Sequence, residues 1–108
     1  MTTTKSSDQI LDSMKAEHGD RIVHAETPMG LVVCRPPTLG EHKRFSDKIG
    51  DARKSNSDAM KELVVCCRVY PEREDFKQII ERFGALCRLL ADALDDAAGG
   101  DIEVHTGK

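Results

Sequence analysis

Cys34, Cys66, Cys67 and Cys87, with His18, His24, His42 and His105, are the side chains able to hold a soft metal or supply a nucleophile and its base. A structural zinc site needs knuckles such as C-x₂₋₄-C, and this chain has no C-x-x-C spacing. Cys66 and Cys67 are adjacent, and neighbouring side chains on a helix point about 100° apart, so both thiolates rarely reach one tetrahedral ion. All four cysteines fall in segments that read as buried strand or helix, and the expectation is reduced thiols acting as small hydrophobes. None of the histidines stands at helical or strand spacing from another. His42, one turn after Thr38 and downstream of Cys34, is the one candidate for a Cys/His pair. That chemistry also needs an orienting third group and an oxyanion site, and neither is visible. The expectation is a protein that is not an enzyme: no catalytic, cofactor-binding or metal-binding residue, no cofactor and no small-molecule substrate.

Charge is unevenly placed. Arg35, Lys43, Arg44, Lys48, Arg53 and Lys54 fall in one stretch, whereas Asp92, Asp95, Asp96, Asp101 and Glu103 gather near the end. The two patches read either as solvated helix faces or as surfaces that complement each other between copies or meet a charged partner. Glu41, Asp47 and Asp51 interrupt the basic stretch and only Phe45 is placed to stack on a base. With a formal net charge of −3, a nucleic-acid partner is not expected, although a small helical nucleic-acid-binding or regulatory interaction domain is the alternative reading.

The chain has 108 residues, of which 39% are hydrophobic and 32% charged. A domain of this size buries only about two-thirds of its unfolded surface. Three Phe, one Tyr and no Trp leave the core to Leu, Ile, Val, Met and Cys, so partners that cover apolar surface would add needed stability. Residues 1–12 are polar apart from Ile10 and Leu11, unlike a secretory signal, and no apolar run approaches the roughly 20 residues that cross a bilayer. The expected compartment is the cytoplasm.

The elements follow from pattern and punctuation. Residues 1–7 read as a disordered lead, 8–99 as a single small α+β domain and 100–108 as a polar tail. Ser7 or Asp8 can cap a short helix with Ile10, Leu11 and Met14 on one face, ended by Gly19. Arg21 to Glu26 and Leu31 to Arg35 are β-rich runs joined by Thr27-Pro28-Met29-Gly30, which suits a type I turn. The β-branched run stops at Pro36-Pro37, which neither a ladder nor a helix crosses. Thr38 and Glu41 then stand at capping-box spacing, opening a helix with Leu39, His42, Phe45 and Ile49 on one stripe that fails near Gly50. Ser57 or Asp58 caps the next helix, with Met60, Leu63, Val64 and Cys67 inward, running to about Tyr70, where Pro71 interrupts it. Phe76, Ile79, Ile80 and Phe83 mark a further amphipathic helix stopped at Gly84. Leu86, Leu89, Leu90, Ala93, Leu94 and Ala97 mark the last, stopped at Gly99-Gly100. The fold class expected is α+β and mostly helical, an N-terminal β-hairpin followed by a bundle of about four helices.

An apolar strand ending in Arg35-Pro36-Pro37, a Thr38-x-x-Glu41 helix start with Phe45, a helix reading Leu63-Val64-Val65-Cys66-Cys67-Arg68-Val69-Tyr70-Pro71, and a helix pair joined near Gly84 follow in order. From Leu31 to about Gly99 this order resembles the tail assembly chaperones of long-tailed bacteriophages and related prophages. Phe83-Gly84-Ala85-Leu86 occupies the family's last turn, without its usual proline. The resemblance implies a non-catalytic helper of tail morphogenesis in the host cytoplasm. Such a helper binds the tape measure protein, shields its apolar helices, helps recruit tail tube protein, self-associates, and is absent from the finished virion. A client helix would lie in a groove between helices. Its expected walls are Phe76, Ile79, Ile80, Phe83, Leu86, Leu90 and Leu94, residues that read in the first place as intramolecular core.

Overall fold

A computed structural model describes residues 7–51, 53, 55–100, 102 and 105; most of the expected lead and tail lie outside them. Strand β2 (Gly30–Cys34) is the axis of the fold, with Leu31, Val32, Val33 and Cys34 all buried. It lies between β1 (Val23–Thr27) and β3 (Arg68–Tyr70) in a three-stranded antiparallel sheet. A central strand covered on both faces has no solvent side, which is why it reads as a continuous apolar run and not as an alternating one. Val32 and Cys34 face α3 (Asn56–Cys67), α4 (Arg73–Arg82) and α5 (Leu86–Asp95), meeting Val64, Cys67, Phe76, Leu90 and Leu94. Leu31 and Val33 face the other way, onto Ile10 of α1 (Ser7–His18), with Leu11, Met14 and Tyr70 alongside.

This arrangement corrects the expected architecture. The hairpin is not N-terminal, because α1 precedes it and covers the sheet's second face. The helices do not form a separate bundle, because they layer onto that sheet. Nor does the segment before Pro71 stay helical to Tyr70: α3 stops at Cys67 and Arg68 turns extended, with φ −60° and ψ 130°. Tyr70 precedes a proline and is steered out of the helical region. The outward groups of β2 need partners besides, and Val33 pairs with Tyr70 while the Arg35 N–H donates to Cys67 O at 2.9 Å.

Local signals place the remaining boundaries. Gly19, at φ +92°, ends α1 in the left-handed region, and its N–H donates to Lys15 O. Thr27 pairs with Gly30 across the hairpin, and its Oγ1 accepts from the Met29 N–H at 3.1 Å. The helix α2 (Leu39–Ile49) has the full capping box: Thr38 Oγ1 accepts from the Glu41 N–H and Glu41 Oε1 from the Thr38 N–H. The N-cap of α3 is Ser55, two residues ahead of the expected Ser57, because Ser55 Oγ reaches the Asp58 N–H. Beyond α5 the chain makes a wide helical turn over Asp96–Gly100, with Gly99 at φ +110°. Arg21 ties that turn to the start of the hairpin, donating to Ala97 O at 2.9 Å and Asp96 O at 2.8 Å.

Candidate functional site

Cys34 ends β2 against the double proline, so the next side chain, Arg35, emerges where β2, α2 and α3 converge. Its guanidinium grips Glu41 through two parallel bonds, NH1 to Oε1 and NH2 to Oε2, both 2.8 Å, and NH2 also donates to Cys66 O at 3.2 Å. The Cys66 thiol donates to Glu41 Oε2 at 2.8 Å. The guanidinium bonds hold the Glu41 carboxyl well below the usual carboxylate range, overcoming the opposing effect of burial. The same carboxylate raises the Cys66 thiol, and burial pushes Cys34 and Cys67 up to about 12 and raises Cys87. All four thiols are free, and at neutral pH they stay protonated. Glu41 has its lone pairs committed to Arg35, Thr38 and Cys66. The cluster is therefore a clasp between elements, with no spare base.

The structure separates the other sequence candidates. His42 Nε2 lies 2.7 Å from Asp95 Oδ1, which joins α2 to the end of α5 and gives the imidazole a carboxylate partner in place of the Cys34 thiol. Within the basic stretch, Arg35 is taken by Glu41, Lys48 by Glu62 and Arg53 by Asp51, leaving Lys43 and Arg44 exposed on α2; Lys54 lies outside the described residues. Asp101 and Glu103 of the acidic end also lie outside them. Among the described residues, no three His, Cys, Asp or Glu side chains converge where an ion would sit. No helix of the described residues is long and apolar enough to cross a membrane.

Of the seven residues expected to wall a groove, Phe76, Ile79, Leu86, Leu90 and Leu94 are buried in the chain's own core, and Phe83 packs half-buried against it. Ile80, half-buried against the same core, also lines open space. It sits on the edge of the α4 stripe, and with Met60 of α3 and Cys87 of α5 it forms the apolar floor of a groove of about 420 Å³. Charged residues rim this groove: Asp58 and Lys61 from α3, Glu81 from α4 and Arg88 from α5. Met60 reads as core from its spacing and Cys87 as filler. Only the packing of α3 against α5 shows that these stripe-edge residues face a gap. The groove and the clasp sit on opposite ends of α3, so the clasp fixes the helix whose first turns form one wall.

The chain matches no known family model, no curated protein and no solved structure.

Proposed function

We propose that this chain is a non-catalytic tail assembly chaperone of a long-tailed bacteriophage or prophage, acting in the host cytoplasm. It holds an amphipathic helix of the tape measure protein and assists assembly of the tail tube. The observation that carries the reading is the groove between α3 and the α4–α5 turn. Its floor is Met60, Ile80 and Cys87, and its rim carries both signs of charge in Asp58, Lys61, Glu81 and Arg88. An apolar floor takes the stripe of a client helix, and a mixed rim pairs with the charges that flank such a stripe. The order of elements from Leu31 to Gly99, which carries the resemblance, supports the same reading.

Two further features favour this role over the alternatives. Four protonated thiols are poor nucleophiles. The ion pairs of Arg35, Lys48 and Arg53 neutralise much of the stretch that would otherwise meet phosphates.

The test is capture of a helical tape measure fragment by the full chain and by Ile80→Asp and Met60→Asp, both at half-buried groove positions. Capture should weaken by about ten-fold or more in each, because a buried charge in the floor costs a client helix on the order of 1–3 kcal/mol. Circular dichroism should show the variants folded. Undiminished capture by both variants removes the groove from the function.

A further inference from the structure

β1 is an edge strand: among the described residues no strand lies outside it. The direction of its free groups follows from β2. The Arg35 N–H bonds to Cys67 on the β3 side, so odd-numbered residues of β2 bond towards β3 and even-numbered ones towards β1. Val23 and Ala25, opposite Cys34 and Val32, therefore exchange the ladder bonds. The N–H and C=O groups of His24 and Glu26 point away from the sheet, and both side chains are exposed on the face that carries α1.

We propose that a second copy of this chain occupies this edge, with the two β1 strands antiparallel across a two-fold axis at Ala25. Each His24 then lies opposite Glu26 of the partner subunit. Only outward-facing residues can form ladder pairs, which leaves few symmetric registers within the strand. Setting His24 or Glu26 opposite its own copy puts like groups together, the latter as two carboxylates. Setting His24 opposite the partner's Glu26 matches an imidazole with a carboxylate twice and puts Ala25, the smallest side chain of the strand, at the axis. α5 contributes as well, since it is the helix packed on β1. Cys87 faces the groove beside α3, and Leu89 lies about 200° round the helix from it, on the flank away from α3. Leu89 is 57% exposed there, and the axis brings that flank up to its copy. The inference rests on the strand edge and is independent of the chaperone reading.

Sedimentation velocity on the full chain over a concentration series tests it. The wild-type chain should pass from monomer to dimer. His24→Glu, which faces two carboxylates with two more, should raise the dissociation constant by about ten-fold or more. The double variant His24→Glu/Glu26→Lys, which swaps the charges, should restore dimerisation. At concentrations low enough to keep all three monomeric they should unfold at closely similar temperatures, since both positions are exposed. A wild-type chain that stays monomeric throughout, or a dimer indifferent to His24→Glu, overturns the proposal. So does a monomer that dimerises only when residues 101–108 are removed, because the edge would then belong to the chain's own tail.

Discussion

Arg35 and Glu41 face each other fork to fork, with both guanidinium nitrogens and both carboxylate oxygens engaged at 2.8 Å. The pair converts the end of a strand into the anchor of a helix. Arg35 is fixed to the last residue of α3, Cys67, through its own N–H, and Glu41 is the third residue of α2, so the clasp sets the angle at which the chain leaves the double proline. The side chains are 28% and 11% exposed, so water screens the pair only partly. A lysine at position 35 would keep the charge but lose the two-pronged geometry.

Acid should weaken the fold through this pair. Folded Glu41 titrates below its ordinary value of 4.5. Its contribution is therefore complete above that pH and is lost as pH falls towards the folded value. Urea unfolding of the wild type between pH 7 and pH 3 should show a steeper loss of stability than Glu41→Gln, which should start about 2 kcal/mol lower at neutral pH. Parallel pH curves for the two chains would take Glu41 out of the acid response.

The capping box and the ion pair share one carboxylate, and their energies should not add. Thr38→Ala removes the hydroxyl that accepts from the Glu41 N–H and should cost about 1 kcal/mol. Glu41→Gln weakens the reciprocal bond to the Thr38 N–H together with the guanidinium bonds. In the double variant the second loss should be smaller than it is alone, giving an interaction energy of roughly 0.5 kcal/mol or more. Strict additivity would mean that the two motifs are energetically separate.

What the sequence shows directly are features closed within a few residues: Thr38 with Glu41, Gly50 after α2, Gly19 after α1, and the Thr27 to Gly30 hairpin. Each is settled by backbone sterics or a short-range hydrogen bond. The third strand is not closed in that way. Arg68-Val69-Tyr70 continues the apolar run of α3 without a turn signal, and only the unpaired edge of β2, more than thirty positions earlier, makes those residues a strand. The candidate groove is hidden for a related reason. Periodicity identifies the centre of a stripe, which the core takes, whereas the residues that line the groove lie on its margins. Ile80, Met60 and Cys87 are such residues.

Cys66 should be a slow thiol despite its exposure. Glu41 accepts from its S–H and would repel the thiolate, so the reactive form is disfavoured at neutral pH. Alkylation of the native chain by iodoacetamide at pH 7.5 should run slower at Cys66 than at a free model thiol, and Glu41→Gln should accelerate it. Cys34 and Cys67, buried and pushed up to about 12, should react only on unfolding. Peptide mapping of the labelled sites distinguishes the three positions. Rapid native labelling of Cys66 would show that the carboxylate does not guard it.

Phe76 and Leu94 should behave as core residues, and their substitution should be readable apart from any effect on a client. Phe76 is 1% exposed and Leu94 is fully buried, both in the cluster that joins α4 and α5 to Val32 and Cys34 of β2. Phe76→Ala should cost about 3–5 kcal/mol and Leu94→Ala about 2–5 kcal/mol, because each leaves a cavity that the packed layers cannot close. A domain of this size has about 5–15 kcal/mol in total, so either variant should unfold at markedly lower temperature or lower urea concentration. Leu89→Ala, on an exposed flank, should stay within about 0.5 kcal/mol of the wild type in the monomer. Losses near 1 kcal/mol at Phe76 and Leu94 would mean that the helical layer is loosely seated on the sheet. Client capture lost in these two variants would report unfolding, whereas its loss in a folded Ile80→Asp chain would report the groove.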